Sequence, residues 1–224
     1  MKSKLNFVII STVLLNLFGC AAQETHRTIV SERVNSSQQK YNGVRADIAI
    51  GVFQNRSDYM RGLFSSNSDK LGNQSKTILK THLQQSNYFN VMDRQNLTGN
   101  TQEAKRLNLK QNIKGARYAV TGNVTEFGRK VTGQKMLFGI LGSAKKQTAY
   151  AKVSLNIVDV LTSQIVYSTQ GAGEYVLNHE EMLGFGSTAG YDATLNGKVL
   201  NLAIMESVNN MVSDIQNGTW KVNP

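Results

Sequence analysis

From Ala149 to Ile157 the chain reads AYAKVSLNI, and every second residue is apolar: Ala149, Ala151, Val153, Leu155 and Ile157 alternate with Tyr150, Lys152, Ser154 and Asn156. Successive side chains of a strand point to opposite faces, so this run specifies a β-strand with one dry face and one wet face. A dry face requires a covering layer, and the carboxyl end offers one. There Leu200, Ile204, Val208, Met211 and Ile215 recur at helical spacing and Gly218 supplies a stop, which predicts a helix laid on the sheet.

The rest of the chain supplies more of both kinds. ADIAIGVF, beginning at Ala46, reads as a buried strand; a helix with Leu71, Ile78, Leu79 and Leu83 on one side follows, and then the strand YFNVMD, which makes a β-loop-α-β unit. A weaker helix, TQEAKRLNL, precedes the strand GARYAVTGNVTEF, and SQIVYSTQGAGEYVL continues in strand after the alternating run. The expected fold is α+β, a mixed sheet packed by helices.

The amino terminus has a different character. Lys2 and Lys4 precede the apolar run LNFVIISTVLLNLFG, which ends at Cys20, the one cysteine in the chain. A spanning helix needs roughly 20 apolar residues, and this run is shorter and interrupted by Ser11, Thr12 and Asn16, so it reads as a signal peptide over residues 1–19. Leu17-Phe18-Gly19-Cys20 resembles a bacterial lipobox, in which cleavage falls before a lipidated cysteine. Phe18 departs from the small or β-branched residue usual there. The expected cofactor set is therefore a covalent lipid on Cys20 and nothing else. Ala21, where inner-membrane lipoproteins commonly carry Asp, implies sorting to the outer membrane, facing the periplasm. Residues 20–44 are polar and read as a tether, leaving residues 45–224 as the domain.

Composition narrows the function. A formal charge of +10 becomes +8 once Lys2 and Lys4 leave with the leader, still basic, but export and the lack of an aromatic-interleaved basic stripe argue against nucleic acid. With Cys20 acylated, no thiol remains for disulfides or metal. His26, His82 and His179 have no second histidine at metal-ligating spacing, and no G-x-S-x-G elbow occurs. Near GSTAGYDATLNGKV the first glycine is misplaced for a phosphate loop, and Val199 stands where Ser or Thr would hold magnesium. No catalytic or metal residue is assigned, and the expectation is a protein without enzymatic activity.

Three stretches, HLQQSNYFNVMDRQNL, KGARYAVTGNVTEFGRK and YAKVSLNIVDVLTSQIVYS, together resemble the CsgG family of curli production assembly and transport lipoproteins, over about residue 45 to the carboxyl end. The chain looks like a short member of that family, not dedicated to curli. The resemblance implies a homo-oligomeric outer-membrane ring in which each subunit lends two β-hairpins to a shared barrel above a vestibule closed by one loop per subunit. An exported polypeptide would pass by diffusion. On this chain the first hairpin would run out from Val120 to Val131 and back from Thr148 to Val158, with Ala149, Ala151, Val153, Leu155 and Ile157 as the candidate membrane-facing row. The second would run from Ile165 to about Leu195. The candidate constriction loop is QNRSDYMRGLFSSNSDKLG, with Phe64, Ser66 and Asn67 as its candidate side chains.

The same alternation also describes a sheet with one face on a helix layer. The alternative reading is therefore a tethered periplasmic interaction module without a pore, of the kind that scaffolds or activates envelope enzymes. Its partners would be other envelope lipoproteins.

Overall fold

The computed structural model describes residues 32–59, 69–135, 143–181 and 194–222. The chain divides into two units, Met1–Ser31 and Glu32–Pro224, and all described residues belong to the second. Its elements are β1 (Ala46–Asn55), α1 (Lys70–Gln85), β2 (Phe89–Met92), α2 (Leu97–Arg106), β3 (Tyr118–Lys135), β4 (Ser143–Asp159), β5 (Ile165–Glu181) and α3 (Thr194–Gln216). The strands form one sheet in the order β2-β1-β3-β4-β5. β1 is parallel to β2 and β3, whereas β3, β4 and β5 run as an antiparallel meander. Parallel neighbours need a crossover, and α1 supplies the one between β1 and β2. The fold is the mixed-sheet α+β arrangement expected from sequence.

α1 begins behind Asp69, its N-cap. Its carboxylate accepts from Gly72 N at 2.8 Å as the helix cap and from Asn55 N at 2.6 Å, fastening the helix start to the end of β1. Leu71, Ser75, Leu79, His82 and Leu83 form the buried side of α1. α3 buries Leu195, Val199, Leu200, Ala203, Ile204, Val208 and Met211, so the two helices cover one face of the sheet together. Under them lie Ala46, Ile48, Val120 and Val124, together with the whole alternating row of β4.

That placement corrects one expectation. Ala149, Ala151, Val153, Leu155 and Ile157 are each at most 2% exposed and belong to the hydrophobic core, not to a surface facing acyl chains. The row is apolar because a helix covers it. Its polar alternates form the open face of the sheet, where Lys152, Ser154 and Asn156 are half-buried and Tyr150 is exposed.

The hairpins differ from expectation as well. β3 and β4 pair without a break beyond the limits read from sequence, as far as Lys135 opposite Ser143, with one bulge between Val124 and Glu126. Residues 165–181 form no hairpin of their own, because β5 is a single strand paired along β4. The hairpin connection at 136–142 and the segment 182–193 lie outside the described residues.

Residues 32–44, which the sequence assigns to the tether, lie on the domain. Val34 is buried, Asn35 N donates to Asn209 Oδ1 at 3.0 Å, and the Tyr41 ring stacks on Tyr88 at 3.9 Å. At the end of the sheet where β5 begins, Trp220 folds back beyond the helix stop. It stacks on Tyr167 at 4.8 Å and Phe89 at 6.2 Å, with Tyr118 edge-on.

Candidate functional site

Cys20, the lipid attachment residue read from the lipobox, and Phe64, Ser66 and Asn67 of the candidate constriction loop lie outside the described residues. The functional geometry that is described resides in the β3–β4–β5 ribbon and in the seam between α1 and α3.

Among the described residues, α3 begins beside the pairs Arg129–Ala149 and Ala149–Tyr175. There Arg129 Nε and Nη2 donate to Asn196 Oδ1 at 2.9 and 2.6 Å, and Lys198 Nζ sits 4.7 Å above the Tyr175 ring. Past that level β3 continues from Lys130 to Lys135 and β4 lies opposite from Thr148 back to Ser143. Six residues at about 3.3 Å each project roughly 20 Å. The projecting strands read KVTGQK, SAKKQT and VLNHEE, and in none of them is either alternate row apolar.

Two long edges of this ribbon have no strand beside them among the described residues. β1 accompanies β3 only as far as Val124, and β5 is the outermost strand along its whole length. α3 partly shields the latter, since Asn210 Nδ2 donates to Gln170 O at 3.0 Å. The helix also comes down onto Gly171 and Gly173, which from sequence could equally belong to a glycine-rich surface loop. A Cβ on Gly171 would stand 2.2 Å from Ala203 O, and one on Gly173 would stand 2.7 Å from Leu202 Cβ. These glycines admit the helix backbone.

On the open face, Glu126, Tyr150, Lys152, Ala172 and Glu174 line a shallow hollow of about 310 Å³. Lys152 Nζ pairs with Glu126 at 2.8 Å across it. Among the described residues, no three of His, Cys, Asp and Glu come together as a metal site.

The α1–α3 seam holds His82, 2% exposed, with Nε2 2.8 Å from Asn201 Oδ1. Asn201 Nδ2 in turn lies 3.5 Å from Glu32 Oε2, while His82 Nδ1 is buried without a partner among the described residues. Burial pushes the imidazole below its ordinary value, against the opposing pull of the Asn201 hydrogen bond and of Glu32. The folded chain therefore releases this proton more readily than the unfolded chain. Between the lowered folded value and the ordinary value near 6.5 the unfolded state binds more protons, so stability falls as pH drops through that window. The urea midpoint should be lower at pH 5.5 than at pH 7.5. His82→Gln should reduce that difference, and an undiminished difference would place the titrating group elsewhere.

A five-stranded mixed sheet under two helices defines an α+β domain. The family described as curli production assembly/transport component CsgG matches residues 30–223, and this chain belongs to it. The match includes residues 32–44, in agreement with their docking on the domain. A relative from Neisseria meningitidis serogroup B (strain ATCC BAA-335 / MC58), named as lipoprotein NMB1126/NMB1164, is 54% identical over 223 residues and spans 100% of both chains. Among solved structures, a PelC dodecamer from Paraburkholderia phytofirmans is similar over 74% of this chain and 87% of its own, at 14% identity and a TM-score of 0.35. Lipoprotein GNA1162 from Neisseria meningitidis is similar over 77% and 99%, at 13% identity and a TM-score of 0.36.

Proposed function

We propose that this CsgG-family lipoprotein is a non-catalytic assembly module held at the inner surface of the outer membrane by lipid on Cys20, with its domain in the periplasm. It serves an envelope export or assembly complex by binding other envelope lipoproteins. The observation that carries this reading is the burial of Ala149, Ala151, Val153, Leu155 and Ile157 beneath α3. Among the described residues, six pairs of β3 and β4 lie past Arg129 and Ala149, against the 9 to 11 or so that a tilted membrane strand needs. Lys130 and Lys146 are placed along it where a barrel wall would carry an apolar band.

A second reading has one observation in its favour. The unpaired edges of β3 beyond Val124 and of β5 are templates for strand addition. A head-to-tail ring of copies joined edge to edge would make a channel for an exported polypeptide.

Reconstitution separates the two. The lipidated chain, extracted in detergent and added to planar bilayers, should give no conductance steps on the assembly-module reading. Discrete steps from a high-mass, detergent-resistant species would establish the channel.

A further inference from the structure

α2 is a helix without a buried residue, and the loop behind it carries Leu107, Leu109 and Ile113 at 69%, 65% and 54% exposure. The loop is nevertheless tied in place. Thr101 Oγ1 donates to Gln111 Oε1 at 2.6 Å, Leu109 N donates to Ala104 O at 2.9 Å, and Arg94 Nη2 donates to Lys114 O at 2.7 Å. Lys114 Nζ then pairs with Asp47 at 2.6 Å, anchoring the far end of the loop to β1. Polar ties thus fix the backbone while three large aliphatic side chains within seven residues of the chain face water, and exposed apolar surface on an ordered segment is where an interaction site is sought.

The charges around those side chains say what the site accepts. Lys105 and Lys110 flank Leu107 and Leu109, both are exposed, and neither has a carboxylate partner among the described residues. A matching surface must present carboxylates spaced between apolar groups. A second copy of this chain is a poor source: it has 15 acidic residues against 25 basic ones, and Asp47, Asp93, Glu103, Glu126 and Asp159 are already paired. A membrane surface is also disfavoured, since residues 94–117 contain no aromatic side chain to sit at headgroup level. Nor does a fluid lipid surface require a loop held in one conformation.

We infer that α2 and residues 107–114 form a docking surface for an acidic, amphipathic segment of a different envelope protein. The inference rests on the reading of the chain as an assembly module and supplies the chemistry of its partner. Its test is site-specific crosslinking in cells that make the full lipidated chain, with a benzophenone amino acid in place of Leu109. The adduct should map by mass spectrometry to a stretch of another protein in which Asp or Glu flanks apolar residues. It should fall at least tenfold when Lys105→Glu and Lys110→Glu are added, with an unchanged melting curve. An adduct with a second copy, with phospholipid or with a segment lacking carboxylates would overturn the inference. So would a yield insensitive to charge reversal, or no adduct at all. None of these failures alters the bilayer result, so the docking surface and the assembly-module reading fail separately.

Discussion

Val153→Lys should strongly destabilise the domain even when no lipid or membrane is present. Val153 is 0% exposed, opposite Val124 on β3 and Gly171 on β5, in the row that α3 covers. An ammonium introduced there finds no carboxylate, and leaving a charge buried without a partner costs about 3–5 kcal/mol. Against a total stability of roughly 5–15 kcal/mol for an ordinary domain, that is a large fraction. For a domain of this size it corresponds to a fall of about 6–20 °C in melting temperature. The measurement is a thermal melt of the unlipidated mature chain followed by circular dichroism. A melting temperature within about 2 °C of the parent would mean that the row does not face α3.

Gly171→Val attacks the same interface from the strand side. The hypothetical Cβ at Gly171 lies 2.2 Å from Ala203 O and 2.5 Å from both Ser207 N and Ser207 Oγ, so it meets helix backbone and not the far end of a flexible side chain. Relief requires α3 to lift from β5, which would open contacts around Ala203, Ile204 and Val208, all 0% exposed. Overpacking in cores commonly costs about 1–3 kcal/mol and occasionally more. A valine against helix backbone belongs at or beyond the upper end of that range. Gly171→Ala should lie between parent and valine, because even one carbon enters the forbidden distance. Urea denaturation should rank the three proteins in that order, and an alanine variant as stable as the parent would show that the helix does not crowd the strand.

The elements that sequence located are those whose own side chains carry a period. The β4 row alternates without error, and Leu200, Ile204, Val208 and Met211 of α3 all lie in the core as their spacing required. Periodicity identifies an apolar row but not the material that covers it, since a lipid-facing strand and a helix-covered strand obey the same alternation. For that reason the β4 row could be assigned to acyl chains from sequence while it lies under a helix in the fold.

Residues 32–44 escaped for another reason. Their attachment rests on Val34, Tyr41 and a few amide contacts, too sparse to form a pattern. Gly171 and Gly173 gave no direction either, because a missing side chain signals permission for close approach without naming what approaches. The absence of any buried residue in α2 is a tertiary property. Its sequence has the composition of an ordinary surface helix. Of the candidate site, the β4 row was legible as chemistry but not as location.

The most direct test of the account is where the chain goes when its lipid is removed. If Cys20 carries the proposed lipid and the β3–β4–β5 ribbon does not cross the bilayer, the acyl chains are the attachment to the membrane. Cys20→Ala, exported through a signal peptide with an ordinary cleavage site, should take up no labelled palmitate and should appear in the soluble periplasmic fraction as a folded, protease-resistant domain. Recovery of the unacylated protein in the outer membrane after carbonate and urea washing would contradict the account, because a part of the domain would then be inserted in lipid.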